Sequence, residues 1–321
     1  MRVQPAELVN GLALSRRMEG LRPSAVREIL KVAERPDIVS FAGGLPAPEL
    51  FPVEAIAESY RAVLAESGPR ALQYGVTEGL ASLRAWIAER LGRRGVRSSV
   101  EQVLITSGSQ QGIDLCARVL LDPGDVVVTE NPTYLAALQA FQASEAEVIA
   151  VGSDDDGMRV DELGELLARR SARLIYLCPD FQNPKGTTLS AARRVELVEI
   201  ARRFGVPILE DDPYGELRFE GEAPPAIASL DEDLVIRLGT FSKTLAPGLR
   251  IGWVHAPAPI VRKLTLLKQA ADLHTATLAQ WATAHLLGRF DFDGHVASLC
   301  AVYGRRRDAM IEALERALPP G

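Results

Sequence analysis

Lys243 lies between two hydroxyl-bearing residues, Ser242 and Thr244, in the segment TFSKTLAPGLRIGW (240–253). Only five of the 36 basic residues of the chain are lysines. An arginine stays protonated at any working pH, whereas a lysine amine can lose its proton and attack a carbonyl group. In a chain that uses arginine so heavily, Lys243 is therefore a candidate for Schiff-base chemistry.

Four further loops place polar or aromatic side chains directly after short β-branched runs. They are SGSQQG (107–112), ENPTY (130–134), PDFQNPKG (179–186) and DDPY (211–214). Taken singly, each has an ordinary explanation as a serine helix cap, a packed ring, a turn or a salt bridge. Taken together, they offer an anion site at a helix start, a stacking ring, an amide, and a carboxylate with a phenol.

A single ligand, pyridoxal 5'-phosphate, needs all of these groups. Its aldehyde reacts with a lysine, its phosphate needs an anion site, and its pyridine nitrogen needs a carboxylate. Its 3'-oxygen needs hydrogen-bond donors, and its flat ring needs a stacking partner. The sequence contains neither a G-x-x-x-x-G-K-[ST] nor a G-x-G-x-x-G loop, so nucleotide binding by those motifs has no support.

Seven β-branched runs predict the strands that position these loops. They cover residues 103–106, 126–129, 147–151, 174–178, 206–210, 234–238 and 251–255. Helix-period stretches lie between the earlier runs, and the one after Ser190 is expected to bury Val195, Val198 and Ile200. The expected fold is α/β, a mostly parallel seven-stranded sheet flanked by helices, with the ligand at the carboxyl ends of the strands.

The bulk properties exclude several classes of function. A net charge of −6 and a pI of about 5.4 argue against nucleic acid as a partner. No apolar run is long enough to span a membrane, so we expect a soluble, cytoplasmic protein without a membrane partner. Cys116, Cys178 and Cys300 are expected to be reduced thiols, and the histidines lack zinc-type spacing, so no metal site is expected.

Seven segments match one family pattern in order along the chain. They are SFAGGLPAPELFP, LQYGVTEG, SGSQQG, NPTY, FQNPKG, DDPYGELRF and TFSKTLAPGLRIGW. Over essentially its whole length, the sequence resembles the fold-type-I pyridoxal-phosphate enzymes of aminotransferase class I/II, and within them the 2-aminoadipate and kynurenine aminotransferase group. The resemblance implies an enzyme that moves an amino group from an amino acid to a 2-oxo acid.

The resemblance implies catalytic roles for Lys243, Asp211 and Tyr214. Lys243 would hold the cofactor as a Schiff base and then move a proton at the substrate α-carbon, while Asp211 would pair with the protonated ring nitrogen. Tyr214 and Asn183 would hydrogen-bond the 3'-oxygen. The remaining contacts would be Tyr134 on the ring and, at the phosphate, Ser109, Gln110, Thr240, Ser242 and Arg250.

The family pattern also implies a homodimer with shared active sites, because Tyr74 would reach the phosphate of the neighbouring subunit. The implied substrate contacts are Ser24, Arg27, Gly44 and Asn183. For Arg27, a role as a surface helix arginine is an equally good alternative. The expected amino donors are 2-aminoadipate, glutamate, leucine and aromatic amino acids.

Three parts of the chain are expected. Residues 1–52 would form an N-terminal arm and part of a small domain, 53–290 the large cofactor-binding domain, and 291–321 the start of a C-terminal small domain. Members of the family continue past this C-terminus with a segment that supplies an arginine for the substrate α-carboxylate. We therefore expect the small domain to be truncated.

Three alternatives stay open. The same scaffold supports lyase or decarboxylase chemistry, chosen by details of the pocket. A fragment that binds the cofactor without turnover is a second alternative. The third is a regulator, in which such a domain follows a basic DNA-binding module; the chain begins almost at once with the aminotransferase arm, which disfavours this reading.

Overall fold

The computed structural model describes residues 8–9, 11–18, 21, 37–38 and 44–318. Ser24 and Arg27, which the sequence predicts to bind substrate, lie outside the described residues.

The described part contains strands and helices in alternation. The strands are β1 Leu8–Val9, β2 Leu12–Ala13, β3 Val103–Thr106, β4 Val126–Glu130, β5 Glu147–Val151, β6 Ser153–Asp154, β7 Gly157–Met158, β8 Leu174–Leu177, β9 Ile208–Asp211, β10 Val235–Thr240 and β11 Gly252–His255. The α-helices are α1 Val53–Ala71, α2 Ala81–Gly92, α3 Ser109–Leu120, α4 Leu135–Ala143, α5 Val160–Arg169, α6 Ala191–Phe204, α7 Ala258–Asp272, α8 Thr277–Leu287 and α9 Phe292–Ala317.

Seven strands form one sheet in the order β3–β11–β10–β9–β8–β4–β5. The strands from β10 to β5 in this order run parallel, whereas β11 runs antiparallel to both of its neighbours. The predicted mostly parallel seven-stranded sheet is therefore confirmed, and each strand begins and ends within two residues of its expected position.

Because β11 runs antiparallel to β3 and β10, the loop that precedes β11 lies beside the loops that follow those two strands. Gly252, the first residue of β11, pairs with Thr106 at the end of β3 and with Thr240 at the end of β10. Arg250, two residues before β11, therefore lies at the same edge of the sheet as the loops that follow β3 and β10.

Helices cover both faces of this sheet. Alternate residues of a strand point to opposite faces, so each strand contributes side chains to two buried clusters. Along β3, Val103 and Ile105 belong to a buried cluster that includes residues of α2 and α6. Leu104, between them, belongs to a second cluster that includes residues of α3, α4 and α7. Strands buried on both faces read as continuous apolar runs, and this property made them recognisable in the sequence.

The buried face of α6 differs from the expected one. Val198 is buried as expected and Ile200 is half-buried, but Val195 is 45% exposed. Leu197 and Ala201 face the core instead, together with Arg194, which is fully buried and bonded to Asp180 at 2.9 Å. The expectation that Val195 is buried was wrong. The buried face of α6 includes the charged residue Arg194, and a pattern of apolar residues does not reveal a buried charge.

The last helix begins against the core and continues into solvent. Asp291 caps α9 by accepting the N–H of Gly294 at 2.9 Å, and Phe292, Val296 and Leu299 are buried. Residues 308–318 are exposed. Within the described ranges, no helix is both long enough and apolar enough to cross a bilayer.

Candidate active site

Lys243 lies in the turn that follows β10, with its side chain half-buried. Its Nζ lies 5.7 Å from the centroid of the Tyr214 ring and donates to the backbone oxygen of Gly44 at 3.5 Å. Burial lowers the pKa of the Lys243 amine, because the ammonium form loses hydration. The neutral, nucleophilic form of this amine is therefore more accessible than in a lysine exposed to water.

Asp211 and Asp212 are neighbours in sequence with opposite environments. Asp212 accepts the N–H of Gly215 at 2.7 Å and forms an ion pair with Arg237. Burial alone would raise the pKa of Asp212, but the charges of Arg237 and Arg94 outweigh it and hold that pKa below its ordinary value. Asp212 thus has the ordinary role of a carboxylate at the end of a strand: it caps the turn at Gly215 and forms a salt bridge with Arg237.

The carboxyl group of Asp211 is only half satisfied. Its Oδ2 accepts the hydroxyl of Tyr176 at 2.9 Å, whereas Oδ1 is buried and has no hydrogen-bond partner among the described residues. Burial raises the pKa of Asp211 to about 7, against the opposing effect of the Tyr176 hydrogen bond. A buried, unpaired carboxylate oxygen is costly, and it calls for a hydrogen-bond donor from outside this part of the chain.

Tyr214, Asn183 and Tyr134 bring two further loops to the same place. Asn183 Nδ2 donates to the Tyr214 hydroxyl oxygen at 3.4 Å. Burial raises the pKa of Tyr214, and the nearby groups of Asp211 and Tyr134 act in the same direction. Tyr134 is half-buried at the N-cap of α4, as expected for an aromatic residue that starts a helix.

The start of α3 and Arg250 converge on one another. The N-cap of α3 is Gly108, with a φ of 84°, and no side chain caps this helix within the described residues. The expected serine cap is therefore absent there. Arg250 Nη2 donates to the backbone oxygen of Ser107 at 3.0 Å and would lie only 2.3 Å from a Cβ added to Gly108. Uncapped helix N–H groups beside a guanidinium make a site for an anion.

Hydroxyl and amide groups surround this anion site. Thr240 Oγ1 donates to Ser242 Oγ at 2.8 Å, and the Ser242 N–H donates to Thr240 Oγ1 at 3.1 Å. Gln110 Nε2 donates to the backbone oxygen of Ala136 at 2.9 Å, which ties α3 to α4. Ser109, the first residue of α3, is half-buried.

Tyr74 lies on the surface of the chain. It is 77% exposed, and its ring packs edge-on against His274 with 5.7 Å between the centroids. The structure thus brings together the predicted residues of the strand-end loops and Gly44, and it leaves Tyr74 free for a contact outside its own chain.

Comparison with known proteins identifies the family. The model of the family aminotransferase class I and II matches residues 37–321. This chain belongs to the class I and II aminotransferases. It is 46% identical over 309 residues to aromatic-amino-acid aminotransferase 1 of Thermococcus litoralis, an alignment that covers 94% of this chain and 74% of that protein.

Two comparisons with proteins of Thermus thermophilus bear on substrate and cofactor. The aminotransferase is 42% identical to a 2-aminoadipate transaminase, over 93% of this chain and 75% of that protein. It also matches the crystal structure of an α-aminoadipate aminotransferase complexed with N-(5'-phosphopyridoxyl)-L-leucine. That match has a TM-score of 0.89 and 40% identity, over 95% of this chain and 77% of that chain. The protein is a pyridoxal-phosphate-dependent aminotransferase of fold type I.

The residues of this aminotransferase fit pyridoxal 5'-phosphate. The unpaired Asp211 Oδ1 is an acceptor for a ring N–H, and the half-buried Lys243 amine suits an aldehyde. The Gly108 backbone, which has no room for a Cβ beneath Arg250, leaves the first turn of α3 open to a phosphate. These groups match the ring nitrogen, the aldehyde and the phosphate of one ligand.

Sequence reasoning missed Tyr176, although it contacts Asp211 directly. Tyr176 is fully buried in β8 and packs edge-on against Phe141, with 5.4 Å between the ring centroids. Its register partner is Leu209, two residues before Asp211 and on the same face of the sheet. The sequence offered one indication of this role, the hydroxyl group of Tyr176 within the otherwise apolar segment LIYLC (174–178).

Proposed function

We propose that Lys243 is the residue of this aminotransferase that binds the cofactor covalently and carries the proton. The observation that supports this most strongly is the position of its half-buried amine in the turn that follows β10, 5.7 Å from the centroid of the Tyr214 ring. When bound, pyridoxal 5'-phosphate supplies an aldehyde and an electron-withdrawing ring that weaken the bonds at the α-carbon of an amino acid. Lys243 supplies a neutral amine that can accept a proton at that carbon and return it.

Asp211 would hold a proton on the ring nitrogen. Its free Oδ1 can accept a ring N–H, and a positive charge there would lower the pKa of Asp211 from its present value of about 7. The carboxylate would then stay ionised through the working pH range. This is the electrostatic condition that the ring needs to withdraw electrons.

Tyr214 and Asn183 would orient the 3'-oxygen of the cofactor. The Asn183 amide donates to the Tyr214 oxygen, and this leaves the Tyr214 hydroxyl hydrogen available for another acceptor. Tyr134 would cover one face of the ring. Ser109, Gln110, Thr240, Ser242 and Arg250 would hold the phosphate, with Arg250 as the charged partner.

The amino donors are proposed from the resemblance and from the names of the relatives. They are 2-aminoadipate, glutamate, leucine and aromatic amino acids, paired with 2-oxo acids. Gly44, whose backbone oxygen lies within 3.5 Å of the Lys243 amine, is placed to contact a substrate there. Ser24 and Arg27 are assigned to substrate from the sequence alone.

We also propose a homodimer with shared sites, a division of the chain at residues 52 and 290, and a cytoplasmic location. The exposed ring of Tyr74 supports the proposed homodimer. The change of α9 from buried to exposed along its length agrees with the proposed division of the chain near residue 290. The three free cysteines agree with the proposed cytoplasmic location, because thiols stay reduced in that compartment.

The visible absorption spectrum of the purified chain with pyridoxal 5'-phosphate tests the assignment of Lys243. We expect a yellow protein whose band is lost in Lys243→Ala, is retained in a control Lys263→Ala on the exposed side of α7, and is bleached by glutamate or 2-aminoadipate. A yellow Lys243→Ala protein with the wild-type band would contradict the assignment. A band that no amino acid bleaches would favour the inactive fragment, and release of ammonia or CO₂ would favour a lyase or a decarboxylase.

The role of Arg27 has its own test. In Arg27→Ala, we expect the rate with 2-aminoadipate to fall relative to the rate with leucine, because the distal carboxylate would lose its partner. An unchanged ratio of the two rates would contradict this role and favour the alternative, in which Arg27 is a surface arginine.

A further inference from the structure

A second lysine, Lys268 on α7, is more deeply buried than Lys243, and the chemistry proposed above does not use it. Its side chain has no solvent exposure, whereas Lys185 and Lys263 are exposed. Burial lowers the pKa of Lys268, and the carboxylate of Asp272 acts in the opposite direction. A buried ammonium is tolerated only when its N–H groups find acceptors.

The three N–H donors of Lys268 have three acceptors. Nζ donates to both carboxylate oxygens of Asp272 and to Oε1 of Gln111, each at 2.8 Å. The three donors of a compact ammonium thus satisfy three acceptor atoms on two side chains.

The same cluster holds the loop between β3 and α3. The Ser107 N–H donates to Gln111 Oε1 at 2.8 Å, and Gln111 Nε2 donates to Asp272 Oδ2 at 2.7 Å. On the other side of the loop, Arg250 donates to the Ser107 carbonyl oxygen. Ser107 is thus held at its N–H by Gln111 and at its C=O by Arg250, immediately before the uncapped start of α3, while its hydroxyl lies 3.4 Å from both Asp272 Oδ2 and Thr275 Oγ1.

We propose that Lys268 and Asp272 are positioning residues for the phosphate site and act through Gln111 on the segment 107–110. This inference rests on the proposed function in one respect, the assignment of the cofactor phosphate to the start of α3. Lys268 can only donate, so it fixes Oε1 of Gln111 towards itself and thereby towards the Ser107 N–H. Without Lys268, Gln111 Oε1 loses one of its two donors and Asp272 loses its cationic partner, so the side chains that hold the Ser107 N–H are less firmly fixed.

A purely structural ion pair at the end of α7 is the competing explanation. It predicts lower thermal stability and an equal loss of affinity for every form of the cofactor. The positioning role predicts a loss confined to ligands that carry the phosphate.

The test compares pyridoxal 5'-phosphate with pyridoxal, which lacks the phosphate, as ligands of the chain freed of cofactor. We expect Lys268→Met and Asp272→Asn to weaken binding of pyridoxal 5'-phosphate by about tenfold or more and to change binding of pyridoxal by less than about twofold. Gln111→Met keeps the Lys268–Asp272 pair and removes the amide that joins it to the Ser107 N–H, leaving only the contact of the Ser107 hydroxyl with Asp272 Oδ2 at 3.4 Å. It should therefore show the same selective loss even if the other two variants fold poorly. Lys263→Met on the same helix is the matched control and should bind both ligands as the wild type does.

Arg250→Ala separates this inference from the phosphate assignment. If Arg250→Ala loses the preference for the phosphorylated ligand while Lys268→Met and Gln111→Met keep it, the positioning role is wrong and the phosphate site stands. If the wild-type chain shows no preference for pyridoxal 5'-phosphate over pyridoxal, both are wrong. An equal loss for the two ligands in Gln111→Met would leave only the structural explanation.

Discussion

At the scale of single residues, the environment of a side chain decides its role more than its type does. Asp211 and Asp212 carry the same carboxyl group, yet one is paired with Arg237 and the other keeps a buried oxygen without a partner in the described part of the chain. The sequence favoured Asp211 through the resemblance alone, because the spacing of DDPY does not distinguish the two. The distinction comes from the alternation of the strand, which turns the two side chains to opposite faces of the sheet.

Tyr176→Phe should raise the pKa of Asp211 above its present value of about 7. The Tyr176 hydroxyl donates to the ionised carboxylate and favours the charged form, so its removal favours the protonated form. The ring volume is nearly unchanged, and the fold should tolerate the substitution. Carbon NMR of the aspartate carboxyl groups in the cofactor-free chain measures this pKa.

Tyr303→Phe is the matched control, because that hydroxyl accepts the Ala47 N–H, far along the chain from Asp211. An Asp211 pKa that stays the same in Tyr176→Phe would mean that burial alone sets it.

Gly108→Ala should cause a large loss of affinity for pyridoxal 5'-phosphate. An added Cβ would collide with the Arg250 guanidinium, and the φ of 84° and ψ of 164° at Gly108 lie in a region of backbone conformation that is essentially confined to glycine. Gly124→Ala separates the two effects, because Gly124 has a φ of 88° and open space around it. Urea unfolding should show both variants destabilised, while ligand titration should show weak binding only for Gly108→Ala; equal affinities would remove the collision from the explanation.

At the scale of elements, seven apolar runs were enough to locate the strands of the sheet. Apolar content and turn residues mark a strand, but neither reports its direction, so the antiparallel course of β11 and its position between β3 and β10 had to come from the structure. The inward face of α6 and the role of Tyr176 were missed for a related reason. Buried polar groups such as Arg194 owe their burial to a distant partner, here Asp180, and no local pattern shows that partner.

The antiparallel course of β11 places His255 opposite Arg237 in the interior. Burial, and then the charge of Arg237, lower the pKa of His255 to about 4 from an ordinary value of 6.5. The imidazole of His255 therefore binds more protons in the unfolded chain than in the folded chain between these two pH values, so its contribution to stability falls as the pH drops through this range. The full effect is on the order of 3 kcal/mol.

His255→Phe should remove the contribution of His255, so that between pH 6.5 and pH 4 the unfolding free energy of the variant rises relative to that of the wild type as the pH drops. Urea denaturation of the wild type and the variant at matched pH values measures the difference, in which contributions from buried carboxyl groups such as Asp211 cancel. Parallel curves for the wild type and His255→Phe would show that the buried imidazole does not titrate as inferred.

At the scale of the whole molecule, the active-site edge extends into an apolar surface. Leu72, Tyr74 and Val76 are 66%, 77% and 63% exposed, and they lie within five residues of one another. The ring of Tyr74 packs on His274, and the next residue, Thr275, donates to the backbone oxygen of Ile105 in β3 at 3.4 Å. Exposed apolar groups this close to a site suit the interface of a C2 dimer in which each subunit completes the other's site.

Leu72→Glu should therefore weaken both dimerisation and cofactor binding. A carboxylate buried without a partner at the interface costs several kcal/mol, so the dissociation constant of the dimer should rise by at least about tenfold. Leu314→Glu, on the exposed part of α9, introduces the same charge at a site with 45% exposure and serves as the control. Sedimentation equilibrium with and without pyridoxal 5'-phosphate measures both effects. If Leu72→Glu has wild-type mass and affinity, the partner does not contact this surface, and Tyr74 would have no role at a neighbouring phosphate.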